Sequence, residues 1–390
     1  MERKRLARRL AIVGSLCTVA VLTVTACSSS GSSSSGSTTN AGTSSASSTA
    51  AADSGVAAAR AFLAPFLQSP TTIGVSSPLT TKPPANKLLV ALAFSNGTNQ
   101  TISKYRAQAA AAVGWDYKFI PVAATAEGIQ QAFQSALALQ PAPTVIDVQG
   151  YDTSTYLPQL AEAKSRGIGV IAESTATTGN GIIARLNNDA ELMDQGKILA
   201  AYVVSDSNGK ADVAEFTTPA ASLLSYLVTG FKAGLAQWCP ACSVKVFNQQ
   251  LTDIGTKTPQ AVVSAIQADP KINYAIFSFG DMTAGVANAL TAAGLTGKVK
   301  IAGGAADTPN VKAVTDGTES AWMSFNAPIL GYRAVDDALR FVEGITPPTT
   351  NLPNQLITSA NVGSLVNTSD GDYVGIADFA AQFKKLWLVG

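Results

Sequence analysis

The chain of 390 residues contains no histidine. A Ser-His-Asp or Cys-His nucleophile system is therefore excluded, and the commonest transition-metal ligand is missing. Chemistry run by Lys, Asp or Glu stays open, but the absence argues against an enzyme. No metal site and no cofactor are expected. Beyond the N-terminus there is no apolar run long enough to span a membrane. An excess of positive charge is missing too. The first 26 residues hold five of the 27 basic residues and one of the 26 acids, which leaves 22 against 25 and a net charge of −3. That is no footprint for nucleic acid. Cysteine is scarce, with four in the whole chain: Cys17, Cys27, Cys239 and Cys242.

What is present begins with an export signal. Arg3, Lys4, Arg5, Arg8 and Arg9 precede a mostly apolar run from Leu10 to Val24. That run is short for a membrane span and is followed by small residues, as in a secretory signal. Arg8-Arg9 raises twin-arginine export, although the residues around it fit poorly. Val24-Thr25-Ala26-Cys27 resembles a bacterial lipobox, which predicts cleavage after residue 26 and lipid on Cys27. Ser28 to Ala52 is almost all Ser, Thr, Gly and Ala. Such a composition buries no core and predicts a flexible tether. A short helix is expected over Asp53–Leu67, then a Pro-containing linker up to Pro84.

A regular alternation starts at residue 87. Lys87–Phe94 is a continuous apolar run, the pattern of a strand buried on both faces. Thr98–Val113 reads as a helix, Asp116–Val122 as a strand, and Thr125–Gln140 as an amphipathic helix with Ile129, Phe133 and Leu137 on one face. Strands over Thr144–Val148, Ile168–Ala172 and Ile182–Leu186 follow, with a helix at Ser154–Arg166. The cycle restarts at Ala190. Strands are expected at Ala211–Phe216, Val244–Phe247, Tyr274–Phe277, Val299–Ala302 and Ser320–Ser324, separated by helices, and Gly331–Glu343 is a last helix. This rhythm predicts an α/β protein with two doubly wound parallel sheets, whose ligands sit beyond the carboxyl ends of the strands.

Several segments in order resemble type I periplasmic binding proteins, the ribose- and galactose-binding branch that also contains the ligand domains of LacI-type repressors. They are GWDYKFI, QGYDTSTYLPQLAEAKSRGIGVIAES, NNDAELMDQGKILAAYV, YAIFSFGDMTAGVANALTAAGL and IAGGAADTPNVKAVTDGTESAWMS. The resemblance covers roughly residues 87–362 and implies two lobes joined by three hinge crossovers. Lobe 1 is expected over 85–188 plus about 327–350, lobe 2 over 189–326 plus about 351–365, and a C-terminal tail over 366–390. It implies capture of a small molecule, a sugar by default, by lobe closure, with delivery to an ABC permease and its ATPase. A sensory role, presenting the ligand to a membrane receptor, is the alternative. The protein would be a monomer anchored by lipid to the outer face of the cytoplasmic membrane. A repressor would carry a helix-turn-helix where this chain carries an export signal.

The fold implied places candidate ligand residues after strand ends: Asn96, Thr98 and Asn99; Gln149, Tyr151 and Asp152; Glu173 and Ser174; Thr218 and Ser222; Phe279 and Asp281; Asp307; and Phe325 and Asn326 at the return crossover. Asn96 or Thr98 could instead cap a helix, and Asp281 likewise. Gln149 and Asp307 match polar positions of the sugar-binding relatives. The relatives carry an Asp-Arg pair where this chain has Glu173-Ser174, a second arginine where Ser225 stands, and an asparagine at Gly280. With both arginines missing and Tyr151, Phe279, Phe325 and Trp322 expected near the cleft, a less polar or aromatic small molecule rivals a sugar.

QWCPACS, residues 237–243, has the look of a thiol–disulfide enzyme. Redox Cys-x-x-Cys pairs sit at the start of a helix, whose dipole lowers the first thiol's pKa. Here a helix precedes the pair and a strand follows it. With Cys17 in the leader and Cys27 lipidated, Cys239 and Cys242 are left to pair. A local disulfide in an outer turn, away from the cleft, is the expected reading for an exported protein.

Overall fold

The run Leu88–Phe94 forms strand β1, buried except at its last residue. In the computed structural model, which describes residues 43–390, it lies inside a parallel sheet. The sheet order is β2 (Asp116–Val122), β1, β3 (Val145–Gln149), β4 (Gly169–Glu173), β5 (Ile182–Leu186). Alternation along the strands sends Val90, Leu92, Ile146 and Val148 to one face, against Ile129 and Phe133 of α3 (Ala126–Leu137) and Leu160 of α4 (Leu157–Ser165). Leu89, Val145 and Ile171 go to the other. There they meet Ile102 and Tyr105 of α2 (Gly97–Ala112) and Ile329 and Val335 of α10 (Ala327–Glu343).

The second sheet runs β11 (Leu356–Thr358), β10 (Ala321–Met323), β9 (Lys300–Gly303), β8 (Tyr274–Phe277), β6 (Asp212–Thr217), β7 (Ser243–Asn248), parallel except for β11. Helices α5 (Asp189–Asp206) and α6 (Leu224–Trp238) cover one face, and α7 (Thr258–Ala268), α8 (Val286–Ala292) and α9 (Thr308–Thr315) the other. Both sheets reverse strand order at one point, between β1 and β3 and between β6 and β8. In doubly wound sheets the ligand crevice opens there. Residues 187–188, 324–326 and 344–355 carry the chain between the lobes, the three crossovers expected.

The two ends differ from expectation. Residues 1–42 lie outside the described residues, and with them the leader, Cys27 and most of the tether. Helix α1 (Thr43–Leu63) begins inside the expected tether and is followed by a 3-10 turn to Leu67. Val56, Ala59 and Leu63 give it an apolar face that packs into the second lobe's core. The linker after it is not loose either. Ile73 and Leu79 are buried in the first lobe's core, and Leu79 N–H donates to Leu386 O at 2.8 Å.

The expected C-terminal tail is also structural. Helix α11 (Phe379–Leu386) buries Phe383, and Trp387 follows it into the same core. The Trp387 ring stacks on Tyr332 of α10 with centroids 5.7 Å apart, and its Nε1–H donates to Asp336 Oδ1 at 2.8 Å. The segment adds a cover to lobe 1 because apolar area between α2 and α10 would otherwise face water.

Two buried polar features complete the lobes. Arg106 of α2 is fully buried and reaches two carboxylates of the first sheet, Asp147 at 2.7 Å and Glu173. Burial pushes the Glu173 carboxyl up to about 8; Arg106 opposes this, and the neighbouring Asp147 charge adds to it. In the second sheet Glu215 is fully buried, and neither carboxyl oxygen has a hydrogen-bond partner. Burial raises its pKa to about 8, only partly offset by Lys232.

Trp387→Ala is expected to cost about 3–5 kcal/mol, the scale for emptying a buried aromatic site. Urea denaturation measures it, and a tail residue would change nothing. For Glu215 the folded pKa near 8 exceeds an unfolded value near ~4.3. Folding therefore takes up a proton between those values, and stability falls as pH rises through that window. Glu215→Gln should be more stable than wild type at pH ~8.5, with the gain fading toward pH ~4.5, followed by denaturation at several pH values.

Candidate ligand site

Four strand ends flank the two reversal points, and short polar side chains organise each. After β1, Asn96 Oδ1 accepts the Asn99 N–H at 2.8 Å and so caps α2, while Asn99 Nδ2 donates to Phe94 O at 2.7 Å. This fixes the turn, with Asn96 exposed, Thr98 half-buried and Asn99 buried. Phe94, the last residue of β1, is 44% exposed. After β3, Gln149 is buried with its Oε1 lacking a partner. Tyr151 is half-buried and donates its hydroxyl to Ala123 O at 2.9 Å. Asp152 Oδ1 accepts from Thr175 Oγ1 at 3.0 Å, from the loop after β4.

In the second lobe, Thr217 at the end of β6 shares a hydroxyl contact of 2.8 Å with Ser278 after β8. Thr218 is buried and its Oγ1 accepts the Ala220 N–H at 3.3 Å. Asp281 is exposed and faces Asp307, the N-cap residue of α9. Burial, then the Asp281 charge, push the Asp307 carboxyl up to about 6. Gly280 explains how these groups come so close. A Cβ there would lie 2.0 Å from Asn310 Oδ1 and 2.7 Å from Asp307 Oδ2. The glycine thus permits an approach that asparagine would block. Asp281 caps no helix; it lies in the 3-10 turn Gly280–Thr283.

Backbone conformation marks the same rim. Ser174, Asn187 and Ala305 follow β4, β5 and β9 with φ of 52°, 47° and 42°. A non-glycine residue held there costs of order 1 kcal/mol and persists where the surroundings dictate it. Ser174 Oγ accepts from Asn187 Nδ2 at 2.9 Å, which ties two of these turns together.

The structure removes three candidates from the cleft. Glu173 is a core group: its side chain shares a sheet face with Ile171 and points to Arg106. Asn326 is buried with both ends occupied. Its Oδ1 accepts the Ile329 N–H at 3.2 Å as the cap of α10, and its Nδ2 donates to Val374 O at 2.8 Å. Trp322 is fully buried in the second lobe and donates to Glu319 Oε2 at 2.6 Å. Phe279 and Phe325 remain half-buried, each packed on its own lobe's core. Asp152 and Ser222 meet one another: Ser222 Oγ lies 3.2 Å from Asp152 Oδ1. Phe94, Thr177 and Ser278 were not anticipated. Phe94 read as one more core residue, and only its place at the strand tip exposes it.

The Cys-x-x-Cys pair lies elsewhere. Trp238 ends α6, Ser243 starts β7, and the two sulfurs between them sit 2.03 Å apart. The turn is at the amino end of β7, opposite the cleft. It is less exposed than expected, since Cys239 is buried under α1.

Residues 89–346 match the periplasmic binding protein domain family. The chain belongs to that family. No curated protein matches it. Solved structures share the fold. A glucose-galactose binding protein from Geobacillus stearothermophilus has 20% identity and a TM-score of 0.62 over 71% of this chain and 99% of its own. A periplasmic ribose ABC transporter protein from Conexibacter woesei has 17% identity and a TM-score of 0.65 over 72% and 95%. A solute binding protein from Burkholderia graminis, solved with D-arabinose, has 18% identity and a TM-score of 0.63 over 74% and 100%. Serine stands at 174 and at 225, the two positions where the resemblance implied arginines. Arg185 of β5 lies near, but it is paired with Asp189 and donates to Ala176 O at 3.1 Å.

Gly280→Ala is expected to cost about 1–3 kcal/mol, the range for forcing extra volume into a packed site. Thermal unfolding of the variant checks it, and an unchanged midpoint would mean that the turn relaxes freely.

Proposed function

We propose that the protein captures a small solute between its lobes, a sugar in the first instance, and presents the closed form to an ABC importer. The observation that carries this reading is the pair of strand-order reversals. Both open on hydrogen-bonding side chains, Asn96, Gln149 and Tyr151 on one lobe and Thr218, Asp281 and Asp307 on the other. Sugars are bound by solved relatives of the same fold, D-arabinose in one and D-allose in another, from Actinobacillus succinogenes. Asp307 is the best-placed acceptor for a hydroxyl. The protein acts by binding, with no chemical step.

Export and anchoring belong to the same proposal. Cleavage before Cys27 and lipidation there would hold the binding unit on the outer face of the cytoplasmic membrane as a monomer, and an oxidising exterior would keep Cys239 and Cys242 joined as a local staple. No helix among the described residues is long and apolar enough to cross a membrane.

A second reading has its own observation. Phe94 at 44% exposure, together with half-buried Tyr151, Phe279 and Phe325, favours a ligand with an apolar or aromatic face. A thermal-shift and calorimetry panel of pentoses, hexoses, nucleosides and aromatic acids separates the two. Stabilisation by sugars alone supports the first reading, by aromatic acids alone the second, and by none of them overturns both. For a bound sugar, Asp307→Ala should weaken affinity at least about tenfold, the cost of stranding a buried hydroxyl. Because the ionised carboxyl accepts hydrogen bonds and its pKa is raised to about 6, wild-type affinity should fall as pH drops through 6, and the variant should lose that dependence.

A further inference from the structure

We infer that Asp152 and Ser222 form a latch that sets the balance between open and closed lobes, and that they act on ligand affinity without touching the ligand. The inference rests on the solute-capture reading for its meaning, but its geometry stands alone.

Two loops of lobe 1 are stitched into one lip. Thr153 N–H donates to Thr177 Oγ1 at 2.7 Å, and Thr153 Oγ1 donates to Thr178 O at 2.9 Å. Thr175 Oγ1 donates to Asp152 Oδ1 at 3.0 Å, with Thr177 Oγ1 at 3.5 Å from the same oxygen. The Asp152 carboxylate is therefore held by its own lobe before it meets the other. Thr175 is buried, so this anchor is sheltered from water.

The lip then reaches across to lobe 2 in two ways. Ser222 Oγ lies 3.2 and 3.3 Å from the two Asp152 oxygens. Next to it, Ala176 packs against the second lobe's apolar cluster, which holds Leu192, Leu223 and Leu227. Ser222 and Leu223 are adjacent in sequence, so the polar and apolar contacts fall together at the turn that leads into α6. A carboxylate only accepts hydrogen bonds, and every contact made by this one is to a protein hydroxyl, from Thr175, Thr177 and Ser222. Asp152 is thus engaged in lobe-to-lobe contact, whereas Asp307 on the other rim has no cross-lobe hydrogen bond among the described residues and takes the Asn310 N–H of its own helix's capping box.

A ligand-contact residue and a latch residue make different predictions. Removing a ligand contact weakens binding but leaves the unliganded lobes unchanged. Removing a latch contact lowers the closed population first, and apparent affinity falls by the same factor as the closed fraction. The test is single-molecule FRET with one dye on each lobe, on the full chain without ligand, for wild type, Ser222→Ala and Ser222→Thr. Ser222→Ala should lower the closed-to-open ratio by roughly two- to tenfold, the value of one hydrogen bond. Ser222→Thr keeps the hydroxyl and should restore the ratio. Titration with D-arabinose as the probe should then show the dissociation constant rising by the factor lost from the closed fraction. A distribution in Ser222→Ala identical to wild type would overturn the latch. So would a weakened D-arabinose affinity with an unchanged unliganded distribution. Absence of any D-arabinose binding would exclude that sugar as the solute and leave the latch standing, because the unliganded distributions decide the latch by themselves.

Discussion

A parallel sheet has to be covered on both faces, and most of this structure follows from meeting that demand twice. The central strands carry apolar residues on both sides, so each sheet needs two helical layers. The helical crossovers supply them, and they also bring the carboxyl end of every parallel strand to one edge. The rim of short polar residues after β1, β3, β6 and β8 is a by-product of that geometry. So is the position of the cysteine pair, which lies at an amino end and is therefore excluded from the cleft.

The same demand explains the two ends of the chain. α10 and α2 alone do not close the outer face of lobe 1. Ile73 and Leu79 from one end and Phe379, Phe383 and Trp387 from the other complete that core. α1 does the equivalent for lobe 2 beside Trp238, its Phe62 ring 4.9 Å from the indole. Because the N-terminal part of the chain passes from lobe 2 to lobe 1 and the C-terminal part does the same, the hinge is traversed by more chain than the three crossovers. Asn361 joins these passages, donating to Leu67 O at 2.9 Å and Leu356 O at 2.8 Å.

Burial also decides which acids are available for function. Glu173, Glu215 and Asp147 all lie on strands, and all face a core. Their charges are unfavourable there, and Arg106 relieves only the first sheet's pair. Asp152, Asp281 and Asp307 lie in loops beyond the strand ends. They keep contact with water or with the opposite lobe, which is the condition for taking part in recognition.

The strand–helix rhythm between residues 87 and 343 was legible because the central strands are runs of apolar residues and most helices between them carry an apolar face. Predicted and observed boundaries mostly differ by a few residues. β11 and α11 were not legible. β11 has three residues, too few for a pattern, and α11 is short and follows a loop rich in Asp, Gly and Ser. Candidate site residues were legible as positions after strand ends, and the structure withdraws Glu173 and Asn326 from that set. What local pattern cannot report is the direction of a side chain at a strand's last residue, or which groups another lobe will bring near. Glu173 and Phe94 stand at equivalent strand tips, yet one points into a core and the other is left exposed. The amino-acid sequence by itself determined the periodicity, the missing histidine chemistry, the order of helix and strand around Cys239 and Cys242, and hence the fold class. Only the tertiary structure decided that Asp152 meets Ser222, that Arg106 claims Glu173 and that both chain ends are core, because each depends on contacts between residues far apart in the chain.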